Sequence, residues 1–139
     1  MAILLKCHRG IGPVVTGFAL VAPDNFSARY DLDRLAGRFS RPTHKLYRQS
    51  YLDKILVLRT AKGGVASAWM LREMAARNKS PKAIIFDRAN TILAQGAAFA
   101  NLTLVDRFED GDPTTLIHTG DELHIEPEAG LVTILNRDA

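Results

Sequence analysis

Cysteine is almost missing from this chain of 139 residues: Cys7 stands alone. A single thiol excludes an intramolecular disulfide and any metal site made only of cysteines. It also fits a reducing compartment, so a cytoplasmic location is expected. Cys7 follows the apolar residues Ile3, Leu4 and Leu5 and reads as a buried, inert thiol. Long apolar runs are missing too. Nothing approaches the ~18 continuous apolar residues of a membrane span. Lys6, His8 and Arg9 interrupt the N-terminal stretch, which is therefore no signal peptide. Aromatics make up only 7% of the residues and do not interleave with the scattered basic side chains. The net charge of +3 thus indicates anionic partners in general rather than nucleic acid. There is no internal repeat and no low-complexity segment. The length fits one domain over residues 1–139.

The order of elements is that of a mixed α/β protein. Leu4 to Cys7 and Val14 to Val21 read as strands, turned by Gly10-Ile11-Gly12-Pro13. Asp24 to Ser50 is irregular and polar, and a segment this long inside a compact domain is usually functional. Lys54 to Arg59 is nearly continuously apolar and is expected at the centre of a sheet. Val65 to Arg77 follows as a helix with apolar residues almost all the way round, so cover on more than one side is expected, ending at Ser80-Pro81. Ala83 to Phe86 and Leu102 to Val105 are further strands, with a helix from Asn90 to Ala100 between them. Glu122 to Glu126 and Leu131 to Leu135 form a hairpin about Pro127-Glu128-Ala129-Gly130. The alternation in the middle implies β-α-β crossovers, and the terminal hairpins exclude a purely parallel sheet.

Two phosphate-binding fingerprints are missing. Neither the phosphate-loop spacing nor Gly-x-Gly-x-x-Gly occurs. What is present is the strand ending at Arg59, then Lys62-Gly63-Gly64, then a helix starting at Val65. Backbone N–H groups and the positive end of a helix dipole converge at such a turn. Its plain reading is a tight turn that needs glycine. Its functional reading is an anion site, supported by Lys62 and Arg59, which can pair with a carboxylate or phosphate.

Other candidates are isolated. Ser67 lies in the first helical turn, where its hydroxyl either faces the same anion or packs as an ordinary helical serine. No base stands near it in sequence. Phe26-Ser27-Ala28-Arg29-Tyr30-Asp31 offers a hydroxyl, a guanidinium and a carboxylate. Arg29 is either a bidentate clamp for a substrate carboxylate or part of a surface ion pair in a turn. None of the four histidines has metal-ligand spacing with another ligand. His44, in the long irregular segment, is the best candidate for a site role, whereas His124 alternates within a strand as a sheet residue. Gln95-Gly96-Ala97-Ala98 suggests close backbone packing at a helix, and Thr119-Gly120-Asp121 a turn before a strand.

Taken in order, Phe26-Ser27, His44-Lys45-Leu46, the strand into Lys62-Gly63-Gly64, Pro81-Lys82-Ala83-Ile84, Gln95-Gly96-Ala97 and Thr119-Gly120-Asp121 resemble the small subunit, or swivel domain, of the aconitase X family. The resemblance spans nearly the whole chain. It implies a swivelling β/β/α domain with a mixed sheet or barrel-like core and flanking helices. It implies a dehydratase (hydro-lyase) acting on a hydroxyproline isomer or phosphomevalonate, with a large subunit that carries an iron–sulfur cluster or iron. By the same resemblance the turn at Lys62, Gly63, Gly64 and Val65 meets substrate, with Arg29, Ser27 and His44 nearby. The family turn reads Gly-basic-Gly-Ser, and aconitase has Gly-x-Gly-Ser-Ser-Arg there, the serine acting as base. This chain has Ala61, Lys62, Gly63, Gly64 and Val65, then Ser67-Ala68, so the expected serine is missing and Ser67 is the nearby hydroxyl. The family's proline after His44 is replaced by Lys45.

The expectation is a small subunit that closes over a metal-bearing partner, holds an anionic substrate, binds no metal itself and is inactive alone. The alternatives are a stand-alone module that binds a carboxylate or phosphate without chemistry, and a non-catalytic regulatory subunit.

Overall fold

The computed structural model describes residues 2–25, 31–34, 36–60 and 65–137, the side chains of 65–67 excepted. Its elements are β1 (Ile3–Lys6), β2 (Val15–Val21), β3 (Leu32–Asp33), β4 (Arg38–Phe39), β5 (Lys54–Thr60), α1 (Val65–Ala76), β6 (Ala83–Arg88), α2 (Thr91–Phe99), β7 (Thr103–Val105), α3 (Pro113–Leu116), β8 (Glu122–Glu126) and β9 (Leu131–Asn136). Seven strands form one mixed sheet in the order β1-β9-β8-β2-β5-β6-β7, and β3 pairs with β4 apart from it. Strands β2, β5, β6 and β7 are parallel neighbours, joined through α1 and α2 as the alternating pattern implies. β8 and β9 form the expected antiparallel hairpin.

The continuous apolar runs of β5 and β6 are explained by burial on both faces. Leu56, Leu58, Ile84 and Phe86 pack with Leu71 and Met74 of α1 and with Leu93 and Ala97 of α2. The alternate residues Ile55, Val57, Ala83 and Ile85 pack with Leu123, Ile125, Val132 and Ile134 of β8 and β9. The sheet therefore rolls around the second core. Its two margins meet where Ile11, beyond β1, and Leu104 of β7 exchange backbone hydrogen bonds of 3.0 Å. Gly10 permits that approach, because a Cβ there would lie 2.1 Å from the Leu104 carbonyl oxygen.

Of three expectations, two need correction and one holds. Gly10 to Pro13 does not close a hairpin, since β1 pairs with β9 and β2 with β8 and β5. Hydrophobic alternation marks each strand but cannot choose a partner more than a hundred residues away. The expected cover of α1 on more than one side holds, because it packs on the sheet through Leu71 and Met74 and on α2 where Ala68 meets Gly96. Leu71 and Met74 are buried, while Trp69 is 60% exposed with Arg72 over its ring. The helix also stops before Ser80-Pro81. Asn78 takes a left-handed conformation, and Lys79 N–H bonds back to the Met74 carbonyl, which closes a Schellman turn.

Candidate functional site

The parallel strands β2, β5 and β6 end together at one edge of the sheet, and α1 and α2 begin there. In α/β sheets ligands bind outside the carboxyl ends of parallel strands. The N-terminus of α1 brings N–H groups without intrahelical partners and a positive dipole end to this edge. The expected anion turn, 61–64, stands between β5 and α1 in sequence and lies outside the described residues.

A network of polar groups holds the edge together. The β2–β5 ladder stops at Val21 and Val57. Beyond it, Ala22 N–H bonds to the Val57 carbonyl at 3.0 Å and Arg59 N–H to the Asp24 carbonyl at 2.9 Å. The last link is between side chains: the Thr60 hydroxyl donates to Asn25 Oδ1. Asp24 accepts N–H bonds from Asn25 at 2.8 Å and Lys45 at 3.1 Å. Burial alone would raise its carboxyl, but these donors and the Arg41 charge hold it below the usual carboxylate range. Asp31, nearly buried, is paired with Arg41.

His44 sits beneath this edge with its side chain inaccessible to solvent. Its Nδ1 accepts the Leu46 N–H at 3.0 Å, which assigns the ring proton to Nε2, and Nε2 donates to the Asn25 carbonyl at 2.8 Å. The ring stacks on Phe39 with centroids 4.6 Å apart. Nε2 lies 3.8 Å from Asp24 Oδ2 and 3.9 Å from Asp31 Oδ2.

Of the sequence-predicted site residues, Ser27, Arg29, Lys62, Gly63 and Gly64 lie outside the described residues, as do the side chains of Val65 and Ser67. The structure nevertheless joins the residues from which the two segments depart, since Asn25 precedes 26–30 and Thr60 precedes 61–64. Arg59, expected to support the anion turn, is instead paired with Asp112 at 3.1 Å, and Asp112 also caps α3 through Thr114 N–H. His124 behaves as a sheet residue, bonded to Thr16 Oγ1 at 2.8 Å and near Glu126.

Sequence reasoning missed Asn25, Thr60 and Arg88. Nothing in their spacing marks the first two, because their contact depends on the β2–β5 pairing. Arg88 stands beside Thr60 in strand register and is exposed. Its signal was its place at the end of an apolar strand, two residues before Asn90, which caps α2 through Leu93 N–H at 2.7 Å.

Comparison with known proteins adds the family. The family model of the aconitase X swivel domain matches residues 4–134. The chain belongs to that family. The swivel chain is 30% identical over 137 residues to the phosphomevalonate dehydratase small subunit of Methanococcoides burtonii, covering 99% of each chain. It is 29% identical over 131 residues to the protein of that name in Thermococcus kodakarensis, covering 94% of this chain and 96% of the relative. A crystal structure of Thermococcus kodakaraensis aconitase X in its holo-form superposes with a TM-score of 0.88 at 28% identity, covering 96% of the swivel chain and 99% of the solved one. The mixed sheet with helices on its outer side is thus the aconitase X swivel fold.

The swivel chain's own donors do not fit the iron or cluster that the family resemblance implies. A cluster is held mainly by several thiolates. This chain has one cysteine, whose thiol is pushed up to about 11 by burial and by Asp106. Among the described residues no three His, Cys, Asp or Glu side chains are grouped to hold a metal ion. No helix among them is long and apolar enough to cross a membrane.

Proposed function

We propose that the swivel chain is the small subunit of a dehydratase that removes water from a small hydroxy acid. The observation that carries this is the full-length match, 99% of both chains, to a relative named phosphomevalonate dehydratase small subunit. Phosphomevalonate is therefore the substrate proposed over a hydroxyproline. A large subunit supplies the iron or iron–sulfur cluster, which would act as the Lewis acid on the leaving hydroxyl. The swivel chain supplies anion recognition. Backbone N–H groups at 63–65 and the α1 dipole hold a phosphate or carboxylate, Lys62 neutralises it, and Arg29 and Ser27 reach from the neighbouring segment. Closure over the large subunit excludes water. Ser67 is the hydroxyl of the helix start available for proton transfer.

A second reading has one observation in its favour. Gly64 and Val65 stand where the family resemblance expects a serine, and neither can take a proton. In that reading the chain binds the anion and the base comes from the partner.

Lys62→Ala, assayed in the assembled enzyme, tests the proposed grip on substrate. kcat/KM falls by about 10²-fold while the subunits still co-purify. Unchanged kinetics would remove Lys62 from the site. Ser67→Ala separates the two readings: it abolishes turnover if Ser67 moves the proton and leaves kcat intact if the partner does.

A further inference from the structure

We propose that the groove between α1 and α2 is a docking face for the large subunit, filled by an apolar side chain of that subunit with a carboxylate beside it. The inference rests on the dehydratase reading for the existence of that partner and names a surface by which the two chains meet. Trp69 and Arg72 of α1 line one side of the groove, and Ile92, Gln95 and Phe99 of α2 line the other. The spacing of the three α2 residues puts them on one helical stripe. Between the two sides Ala68 and Gly96 bring the helices together. The cavity measures about 120 Å³. An apolar cavity of roughly 150 Å³ takes a benzene ring, so this one suits a single apolar side chain.

This face is costly to leave in water. Phe99 is 77% exposed, and Trp69 and Ile92 are exposed beside it. The chain is 24% charged, yet no charged residue occurs between Arg88 and Asp106. α2 therefore turns outward a stripe with no charge, where a solvent-facing helix carries charges. Contiguous exposed apolar groups around a tryptophan and an arginine mark a protein contact. Two observations choose the occupant. First, α1 and α2 both begin at the edge where the parallel strands end, and Trp69 and Ile92 lie near their starts. The groove thus adjoins the edge that is proposed to close on the large subunit. Second, Arg72 is the one charged side chain among the described residues that line the groove, its guanidinium carbon 5.6 Å from the centre of the Trp69 ring. Neighbouring Glu73 is engaged by Arg77 at 3.5 Å. A second copy of this chain would set arginine against arginine with no carboxylate of the groove to neutralise them, whereas a different chain can bring the carboxylate.

Trp69 is the single tryptophan of the chain, so it reports on the groove directly. The small subunit is labelled with 5-fluorotryptophan and titrated with an unlabelled large subunit of aconitase X type. As the complex forms, the fluorine signal should shift and lose its response to replacing water by heavy water. Phe99→Asp and Arg72→Glu should each weaken assembly about 30-fold or more, the scale of a central interface residue. Both side chains are exposed, so the variants should unfold at the temperature of the parent chain. Val14→Asp is the control: Val14 is 59% exposed and stands at the far end of β2 from the site edge, and its replacement should leave affinity unchanged. A complex that forms with the fluorine signal unmoved, or with Phe99→Asp and Arg72→Glu weakened no more than Val14→Asp, would overturn the docking proposal and leave the dehydratase reading intact. A signal that moves with the small subunit's own concentration would give the groove to a second copy and overturn it as well. No complex at all would count against the dehydratase reading, and this occupant would fall with it.

Discussion

Asp121 shows how single side chains stabilise this fold. It is 1% exposed, accepts the His118 N–H at 2.8 Å and takes Arg137 Nη2 at 2.8 Å, with Arg137 Nε at 3.1 and 3.2 Å from its two oxygens. Burial by itself would raise the carboxyl, but the Arg137 bonds and the backbone N–H outweigh it and leave the group below its ordinary value. A carboxyl depressed in the folded state stabilises the protein above the ordinary carboxylate range and loses that contribution as pH falls through it. Asp121→Asn should therefore cost about 2 kcal/mol at neutral pH. Denaturant titrations should show wild type and variant converging as pH drops below about 4. A constant gap across that range would contradict the assignment. Asp24 carries the same sign, so acid should also loosen the site edge. At this scale the sequence was partly legible. Cys7 reads as a buried, inert thiol from its neighbours alone; in the structure it is only half-buried, with its thiol pushed up to about 11. His44 could be singled out from its place in a polar segment. Its partner Asn25 could not, because nineteen residues separate them and only the fold brings them together.

Among elements, the contact between α1 and α2 is the most constrained. Gly96 allows it: a Cβ there would lie 2.6 Å from Cα and Cβ of Ala68, backbone that cannot swing aside. Gly96→Ala removes a helix-disfavouring glycine, which in isolation would stabilise α2 by up to about 1 kcal/mol. The steric term wins here, and the variant should lose about 1–3 kcal/mol by thermal or chemical denaturation. A stabilised variant would show that the helices can separate freely. The close approach at Gln95-Gly96-Ala97 was readable from small residues in a helical pattern. β5 and β6 were readable from their apolar runs. Strand pairing was not, because register is decided by partners far along the chain. The short α3 had a usable signal, Asp112 as N-cap followed by Pro113 at N1, which the missing apolar periodicity concealed. Trp69, one of the apolar residues that run almost all the way round α1, is exposed.

For the whole molecule, two cores on opposite faces of a rolled sheet leave one edge free to carry chemistry. The parallel strands, the start of α1 and the Asp24–Asn25–Thr60 network converge there, and the two segments named from sequence depart from it. The strand and the helix that flank the proposed site were legible from the order of residues at 55–65. The Asp24–Asn25–Thr60 network was not, since it depends on contacts between residues far apart in sequence. The central claim is that this edge works only against a second, larger subunit. The direct measurement is reconstitution. The chain is mixed with an iron-loaded large subunit of aconitase X type, purified as a complex, and assayed for loss of water from phosphomevalonate. A stable complex that turns over, with neither subunit active alone, is the expected result. A chain that binds inorganic phosphate as a monomer but neither joins the large subunit nor supports turnover would contradict it.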